Sequence, residues 1–284
     1  MDGFNSVGLN TIPSLSWALA YPDSSNGYKQ NIANNIVTLS TLAGYETYWL
    51  SNQGFMGQND TPITKMAKNA NHLFFLKSVD YDSKNSFDFE LLPKFKEFLT
   101  TKSDKNRVFF LHLIGSHPSF CNRIPRKLYV KNKGRKDINI YCYLKTIEQT
   151  DSFLKELYGI LNKNYKDNNE SFSMIYFSDH GLTHRVKKGE LSLAINSSIA
   201  AKEHFAVPLI RLSSDDVGRK FVKNRSYGNY FAQSFAKWTG ITTSNIKITN
   251  DIFEPIEQKD IIDIDKNFIK SKKPDSAKVI ENFN

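Results

Sequence analysis

The sequence predicts an α/β protein, a three-layer α/β/α sandwich in which helices cover both faces of a central, mainly parallel sheet. Short apolar runs of strand length alternate along the chain with amphipathic segments of helical length. No internal repeat or low-complexity linker interrupts this alternation. Because strands that are separated by helices of this length are joined by right-handed crossovers, the strands run parallel and the helices pack on the two faces of the sheet.

The individual elements follow from apolar periodicity and from the glycines that end several segments. The predicted helices cover Tyr28 to Leu42, Phe87 to Leu99, Tyr141 to Leu161 and Tyr227 to Trp238. The predicted strands cover Tyr45 to Leu50, Val108 to Ile114, Met174 to Phe177 and Phe205 to Leu212. Residues 1–250 form one predicted domain, and residues 251–284 form a polar, irregular tail that wraps the surface or frays.

Composition limits the classes of protein that the chain can belong to. Of its 284 residues 40% are hydrophobic, which is enough for a sizeable core, and no apolar run or leader pattern predicts a membrane span or a secretory signal. The net charge of +9 favours an anionic partner, such as a phospholipid surface, a phosphorylated glycolipid or nucleic acid. Basic residues cluster at 127–136 and 270–273, and a solvated basic face is the alternative interpretation of each cluster. Cys121 and Cys142 fit no CxxC pattern, so they form either one disulfide or two core thiols.

Residues that could bind a metal follow the predicted strand at 174–177. The chain there reads Ser178-Asp179-His180-Gly181, and the carboxyl ends of strands in an open α/β sheet are where ligands bind. Asp179 and His180 offer one oxygen and one nitrogen ligand to a divalent metal, while Gly181 lets the backbone turn away. The alternative interpretation is that Asp179 caps the next helix beside a satisfied surface histidine.

Two further strand ends carry polar residues that a parallel sheet would bring towards the same cleft. The strand at 108–114 leads into a turn, Gly115-Ser116-His117-Pro118, and the strand at 45–50 leads into Asn52 and Gln53. Because the carboxyl ends of parallel strands lie at one edge of a sheet, we expect these side chains to lie near Asp179 and His180.

The remaining histidines divide into two groups. His184 follows the Asp-His-Gly motif directly, and His204 precedes the predicted strand at 205–212. We interpret His72 and His112 as structural, because His72 lies in a polar connection and His112 lies inside an apolar strand without an obvious polar neighbour. A single histidine on such a strand is more often a satisfied core residue than a ligand.

Six segments of the chain share their order and spacing with one known family. These segments are Leu42 to Gln53, Gly115 to Phe120, Arg123 to Pro125, Tyr141 to Asp151, Phe177 to Gly181 and His204 to Pro208. They resemble the phosphoethanolamine transferases of the alkaline phosphatase and sulfatase superfamily. The resemblance covers most of residues 7–245, and it implies that the sandwich predicted above is sulfatase-like.

The resemblance also implies a Zn²⁺-dependent reaction with a threonine nucleophile at a helix N-terminus. Thr11 occupies that position, and it would cap a helix with Pro13 in its first turn. The N–H groups at such a helix end attract a transferred phosphoryl group, and zinc would activate the neutral hydroxyl. By the same resemblance Thr11, Asp179 and His180 are the zinc ligands, although Thr11 could instead be only a helix cap.

Substrate binding falls, by resemblance, to three histidines. His117 matches a family histidine that contacts the phosphate or a second zinc, with a turn histidine packed on Pro118 as the alternative. Either His184 or His204 matches a further family histidine. We prefer His184 for the site and expect His204 to support the loop.

Two departures from the family's pattern bear on activity. Leu182 stands where the family has a glutamate after Asp-His-Gly. The family's first metal ligand, a glutamate upstream of the nucleophile, and its N-terminal membrane helices have no counterpart in these residues. We therefore expect an N-terminally truncated catalytic domain whose zinc binding is weakened.

The function implied by the resemblance is transfer of phosphoethanolamine from phosphatidylethanolamine to lipid A or the lipopolysaccharide core. This reaction would take place at the periplasmic face of the bacterial inner membrane. The expected partners are the lipid donor, the glycolipid acceptor and the membrane surface, and not nucleic acid. A sulfate or phosphate ester hydrolase of the same superfamily is one alternative, and a non-catalytic remnant that binds anionic glycolipid is another.

Overall fold

The computed structural model describes residues 2–23, 29–54, 60–77, 86–187, 190–195, 201–244, 246 and 251–254. The predicted C-terminal tail lies outside the described residues from residue 255 onward, as does Tyr28 at the start of one predicted helix. Within these ranges, no helix combines the length and the apolar composition that are needed to cross a bilayer.

The described part of the chain forms eleven strands, seven α-helices and four short 3-10 helices. The strands are β1 (Asp2–Asn5), β2 (Ala20–Asp23), β3 (Lys29–Asn35), β4 (Glu46–Ser51), β5 (His72–Phe75), β6 (Arg107–His112), β7 (Ser173–Phe177), β8 (Thr183–Lys187), β9 (Glu190–Ala194), β10 (Leu209–Ser213) and β11 (Lys223–Tyr227). The α-helices are α1 (Thr11–Leu19), α2 (Ile36–Leu42), α3 (Pro62–Ala67), α4 (Leu92–Thr100), α5 (Arg126–Asn132), α6 (Ile138–Asn168) and α7 (Phe231–Trp238). The 3-10 helices lie at Asp88–Leu91, Phe120–Arg123, Lys202–His204 and Gly228–Tyr230.

A parallel sheet of three strands, in the order β5, β4, β6, lies at the centre of the fold. β4 is buried along nearly its whole length, as expected for a strand in the middle of a parallel sheet. Tyr48 stacks on Phe109 of β6, whereas the next residue, Trp49, stacks on Phe110. Successive residues of β4 therefore pack on opposite faces of the sheet.

Helices cover both faces of this sheet. The core that contains Trp49 is built from buried side chains of α1, α2, α3 and α7. The core that contains Tyr48 is built from buried side chains of α4 and α6. The predicted three-layer α/β/α architecture is therefore confirmed.

The other strands pair outside the three-stranded sheet. β1 pairs in parallel with β11. The remaining pairs, β7 with β10, β2 with β3 and β8 with β9, are antiparallel. The parallel arrangement thus holds for the central strands, and β7, which leads into the Asp-His-Gly motif, has an antiparallel neighbour.

The helix predicted from Tyr28 to Leu42 is wrong over its first half, because Lys29–Asn35 form β3. Ile32 and Ile36 stand four residues apart, a spacing that fits both a helical period and the alternation of a strand. The helix begins only at Ile36, because the side chain of Asn35 accepts hydrogen bonds from two N–H groups of the first turn. The second half of the prediction corresponds to α2.

Two further elements begin later than the sequence predicts. The strand predicted from Phe205 begins at Leu209, because Pro208 has no N–H group to contribute to a strand ladder. The helix predicted from Tyr227 begins at Phe231, after β11 and a turn of 3-10 helix. The other predicted helices and strands agree with the structure in type and approximate position.

Cys121 and Cys142 form a disulfide, which decides between the two alternatives that the sequence left open. The bond joins the 3-10 helix at Phe120–Arg123 to α6. Both cysteines belong to a third core, together with Phe120 of that 3-10 helix and Leu193 of β9. The disulfide is typical of a protein that folds in an oxidising compartment.

His72 and His112 make contacts that favour a structural role for each. At the amino-terminal edge of the central sheet, His72 Nε2 lies 2.9 Å from Glu46 Oε1. At the end of β6, His112 Nδ1 lies 3.1 Å from Ser51 Oγ, and the ring packs edge-on against Trp49. Burial lowers the pKa of His112 to about 4, so the ring is neutral at physiological pH.

The depressed pKa of His112 predicts how stability depends on pH. Between pH 6.5 and about 4, the unfolded chain binds a proton that folded His112 excludes. The contribution of His112 to the free energy of unfolding is therefore fully present above pH 6.5. It decreases by up to about 3 kcal/mol as the pH falls towards 4. Urea unfolding at a series of pH values should show this decline, and His112→Gln should flatten it. His72→Gln is the control and should keep the decline. If His112→Gln shows the same decline as the unsubstituted chain, the decline does not come from the depressed pKa of His112.

Candidate active site

Asp179 and His180 follow β7 directly, at its carboxyl end. His180 Nε2 lies 3.6 Å from Asp179 Oδ2. His180 Nδ1 lies 2.8 Å from the carbonyl oxygen of Gly181. Because a carbonyl oxygen can only accept, Nδ1 is the donor in this contact, and in the neutral ring the lone pair is then on Nε2. A strand, β8, and not a helix follows this motif, so the alternative that Asp179 caps a helix is wrong.

Gly181 lets the motif pack closely against the segment that precedes β10. Its N–H group donates to the carbonyl oxygen of His204 at 2.7 Å. A Cβ atom added to Gly181 would lie 2.2 Å from the carbonyl oxygen of Glu203, so any other residue would force the two backbones apart. The N–H group of Ser178 donates to the carbonyl oxygen of Pro208 at 3.3 Å. The loop at 178–181 is thus held along the segment at 204–208.

Ser6, directly after β1, connects the same loop to α1. Its Oγ donates a hydrogen bond to the carbonyl oxygen of Asp179 and lies 3.1 Å from Ser14 Oγ in α1. Its N–H group donates to the carbonyl oxygen of Phe205 at 2.7 Å. The end of β1, the end of β7 and the first turns of α1 therefore meet at Ser6.

Thr11 is the first residue of α1, and Asn10 occupies the cap position before it. The expectation that Thr11 caps the helix is therefore wrong. Gly8 allows the chain to enter α1 tightly, because a Cβ atom there would lie 2.7 Å from both the backbone nitrogen and the Oγ of Ser14. The first N–H groups of α1 have no partner within the helix, which makes this end of α1 suitable for an anionic group.

His117 lies in the turn that leaves β6. Gly115 has a φ of +49°, in the left-handed region that glycine adopts readily, and the N–H group of His117 closes the turn on the carbonyl oxygen three residues earlier. Thr146 Oγ1 of α6 donates to Ser116 Oγ at 2.8 Å. His117 Nδ1 lies 3.3 Å from the carbonyl oxygen of Pro118. The turn is thus attached to α6 beside the imidazole.

Asp88, which no pattern in the sequence indicates, anchors this turn. Its Oδ1 accepts hydrogen bonds from the N–H group of Ile114 at 2.9 Å and from the side-chain amide of Asn52 at 2.8 Å. Its Oδ2 accepts from the N–H group of Gly115 at 3.0 Å. Burial raises the pKa of Asp88, while these three donors and the charge of Arg123 act in the opposite direction. One carboxylate thus holds the ends of β4 and β6 together.

Asn52 and Gln53 serve the same connection. Asn52 is completely buried, and besides its bond to Asp88 it accepts a hydrogen bond from Ser86. Gln53 Nε2 donates to the carbonyl oxygen of Leu113, in the chain that leaves β6, at 3.0 Å. These two polar residues therefore join neighbouring strand ends, and their amide groups are engaged in that task.

The other two candidate histidines have different surroundings. His184 lies on β8, opposite Leu193 of β9. His204 is completely buried in the 3-10 helix at Lys202–His204, and its carbonyl oxygen accepts the hydrogen bond from Gly181. Burial of the ring favours a supporting role for His204, while a role for His184 in substrate binding stays a prediction.

The Asp179 and His180 pair has the chemistry of a zinc site. Zinc binds carboxylate oxygen and imidazole nitrogen at about 2.0–2.2 Å, so two donor atoms 3.6 Å apart can bind one ion. The hydrogen bond from Nδ1 to the carbonyl oxygen of Gly181 orients the ring and leaves Nε2 as the nitrogen that can bind a metal. In the described ranges, no group of three or more His, Cys, Asp or Glu side chains is placed to hold a metal.

Comparison with known proteins identifies the class to which this fold and this loop belong. The sulfatase family model matches residues 3–241. The crystal structure of the C-terminal periplasmic domain of EptC from Escherichia coli, a complex with zinc, has the same fold, with a TM-score of 0.69 and 17% identity. That comparison covers 94% of this chain and 81% of the other. The chain belongs to the sulfatase family.

Curated relatives narrow the assignment to one branch of that family. The phosphoethanolamine transferase OpgE of Escherichia coli is 36% identical over 223 residues, which are 78% of this chain and 40% of OpgE. A protein of Haemophilus influenzae is 44% identical over 191 residues, which are 65% of this chain and 39% of that protein. The predicted resemblance to phosphoethanolamine transferases is confirmed. The chain spans about two fifths of the length of these two relatives.

The hydrogen bonds of Asp88 predict a specific local effect of Asp88→Asn. An amide in place of the carboxylate presents an N–H donor where an oxygen accepts, so at least one N–H group of the turn loses its partner. A lost hydrogen bond to a charged acceptor costs about 1.5–3 kcal/mol, and exchange of the Gly115 amide hydrogen should accelerate roughly tenfold or more. Hydrogen exchange measured by NMR would show this. Asp137→Asn, which changes a partly exposed acid paired with Arg135, is the control, and unchanged protection of Gly115 would contradict the anchoring role.

Proposed function

We propose that this chain is the catalytic domain of a zinc-dependent phosphoethanolamine transferase. It takes phosphoethanolamine from phosphatidylethanolamine and transfers it to lipid A or the lipopolysaccharide core, at the periplasmic face of the bacterial inner membrane. The observation that carries the proposal is the contact of Ser6 with both Asp179 and α1. This contact brings the loop of the metal-binding pair to the helix that begins at Thr11. The relatives that are named as phosphoethanolamine transferases support the choice of reaction.

Thr11 is the proposed nucleophile. Its hydroxyl oxygen attacks the phosphorus of phosphatidylethanolamine, and the bond from phosphorus to the diacylglycerol oxygen breaks. Diacylglycerol leaves as a neutral alcohol, so the proton that Thr11 loses balances the proton that the leaving group gains. A hydroxyl or phosphate oxygen of the acceptor then attacks the same phosphorus, and Thr11 is released and regains a proton. One difficult transfer thus becomes two displacements through a covalent intermediate.

The first turn of α1 supplies electrostatic stabilisation in both displacements. Its N–H groups point towards the helix end at which Thr11 lies, and the helix dipole favours negative charge there. Negative charge on the phosphoryl oxygens is therefore stabilised by donors that are already in place before the reaction.

Asp179, His180 and Thr11 are the proposed zinc ligands. When bound, zinc would lower the pKa of the threonine hydroxyl and stabilise charge on the phosphoryl group. Asp179 supplies an anionic oxygen, and His180 supplies the neutral nitrogen Nε2. The carbonyl oxygen of Gly181 contacts Nδ1 and so orients the whole ring. The N–H group of Gly181 donates to the carbonyl oxygen of His204.

His117 and His184 are proposed to bind the phosphate and the headgroup. His204 is proposed to support the loop at 178–181. The turn of His117 is attached both to Asp88 and to Thr146. Its imidazole is therefore positioned by a braced backbone, which suits a group that must meet a substrate in one orientation.

A sulfate or phosphate ester hydrolase is the second candidate, and the sulfatase family match favours it. It would form the same covalent intermediate, but water would replace the glycolipid as acceptor. The two functions differ in the fate of a labelled headgroup, which appears on the glycolipid after transfer and free in solution after hydrolysis.

The nucleophile assignment predicts a covalent adduct on Thr11. After the zinc-loaded chain is incubated with phosphatidylethanolamine, intact mass spectrometry should show added phosphoethanolamine that maps to the peptide containing Thr11. Thr11→Ala should abolish the adduct, whereas Thr11→Ser should retain some of it, because the hydroxyl remains with a less restricted rotamer.

Thr61→Ala is a matched control for the loss of a threonine at a helix N-terminus. Thr61 caps α3 by accepting from the N–H group of Thr64, so its loss should cost about 1 kcal/mol and leave the adduct intact. Thr11 does not occupy the cap position, so Thr11→Ala should cost less than Thr61→Ala. An adduct that persists at full yield in Thr11→Ala would rule out the covalent mechanism. A chain that never forms the adduct would favour the binding remnant.

The ligand assignment predicts a second effect that does not depend on activity. Asp179→Asn and His180→Gln should each weaken Zn²⁺ binding by at least roughly tenfold, because each removes or neutralises a direct donor. Competition with a chromophoric chelator measures this affinity. His72→Gln, at the opposite edge of the sheet, should leave the affinity unchanged. Equal affinities in all three variants would exclude the Asp179 and His180 pair as ligands.

A further inference from the structure

The chain between residues 126 and 136, which we call the basic segment, forms an exposed surface outside the proposed reaction. It contains α5 and the turn that follows. Five of its cations are exposed, namely Arg126, Lys127, Lys131, Lys133 and Lys136. None of the five forms an ion pair with an acidic side chain of the described ranges. The sequence has no Asp or Glu between Asp104 and Asp137, so the segment contains no acidic residue of its own.

The basic segment also exposes apolar side chains. Tyr129 is 38% exposed and Val130 is 50% exposed, and α5 contains no buried residue. Its half-buried Leu128 packs on the third core. A short helix that buries so little gains little stability from packing within its own chain. Exposed tyrosine and valine between unpaired cations is a composition typical of a surface that lies in a membrane interface.

The basic segment shares its packing unit with the Asp-His-Gly loop and with the turn that carries His117. Leu128 packs on the same core as Leu182, the residue after the Asp-His-Gly motif. Phe120, three residues after His117, belongs to that core as well. The disulfide joins Cys121 to α6 just before the segment begins. The basic segment is therefore packed on the same core as these two loops.

We propose that the basic segment docks this domain onto an anionic phospholipid membrane. Tyr129 and Val130 enter the headgroup region, and the five cations contact lipid phosphates. The inference rests on the proposed function only in that the lipid donor is drawn from the same surface. Nucleic acid would also attract the cations, but it offers no apolar layer for the exposed Tyr129 and Val130 pair.

Vesicle flotation tests the docking surface directly. The full 284-residue chain is mixed with vesicles of phosphatidylcholine that contain phosphatidylglycerol, and with vesicles of phosphatidylcholine alone. We expect binding to the anionic vesicles that weakens as NaCl is raised. Each cation near such a surface contributes roughly a fivefold change in the partition constant. Lys127→Gln with Lys131→Gln should therefore weaken binding roughly 25-fold.

A second pair of substitutions provides the matched control. Lys155 and Lys166 are exposed on α6, so Lys155→Gln with Lys166→Gln removes the same charge elsewhere and should change binding less than roughly twofold. Equal losses in the two double variants would mean that net charge alone drives binding and would overturn the proposal. The proposal would also be overturned if the chain did not bind the anionic vesicles, or if it bound a DNA duplex instead of them.

The apolar pair needs a separate measurement. Tyr129→Ser with Val130→Ser leaves every cation in place, so it should weaken vesicle binding at each NaCl concentration and keep the dependence on NaCl. Unchanged binding would overturn insertion of these side chains. Circular dichroism should show the same fold in all variants, because each substituted residue is exposed.

The Thr11→Ala variant separates this inference from the proposed function. It should bind anionic vesicles as the unsubstituted chain does, because Thr11 lies outside the basic segment. If vesicle binding depends on Lys127 and Lys131 while no adduct forms on Thr11, the docking surface stands and the transferase proposal fails. If the adduct forms while the Lys127 and Lys131 variant binds vesicles normally, the docking surface fails and the transferase proposal stands.

Discussion

The hydroxyl group of Ser6 ties the two halves of the candidate active site together. Ser6 is only 3% exposed, so its hydroxyl must find partners within the protein. It finds them in the carbonyl oxygen of Asp179 and in Ser14 of α1. A buried polar group that is fully bonded specifies one arrangement of its neighbours, because any other arrangement leaves a polar atom without a partner. The position of α1 relative to the end of β7 is therefore determined by a contact between segments that lie far apart in the chain.

The same principle operates at the end of β6, with a carboxylate in place of a hydroxyl. Asp88 collects donors from the end of β4 and from the turn after β6. These bonds offset part of the cost of burying a charge. Burial raises the pKa of Asp88, whereas the hydrogen-bond donors act to lower it. Ser6 and Asp88 thus each hold together strand ends from which candidate site residues follow. A site held in this way keeps its geometry without help from the substrate.

The parts of this molecule that could be predicted from sequence are those whose cause is local. The apolar strand that leads into Asp179 and His180 is visible as a run of residues, and so is the polar turn that ends it. β3 was missed because the spacing of Ile32 and Ile36 fits two periods, and the pairing of β3 with β2 decides between them. The helix cap lies at Asn10 and not at Thr11, because residue types alone do not determine the backbone angles at these two positions.

Ser6 and Asp88 could not be predicted for a different reason. Each acts on a partner that is remote in sequence, and each stands in a stretch whose composition is ordinary for a loop or a helix start. The disulfide was an open alternative because pairing depends on where the 3-10 helix at Phe120–Arg123 lies against α6, which the sequence alone does not state.

Burial separates the residues that hold the site from those that can take part in chemistry. Asn52 and His204 are completely buried, whereas the side chains of Asp179 and His180 remain 26% and 11% exposed. A buried group cannot contact a substrate unless the fold opens, which would cost the packing that positions the loops. In the proposed reaction, contacts with the substrates therefore come from partly exposed groups such as Asp179 and His180. The exposed groups of this fold can then change without any change in how the buried framework is built.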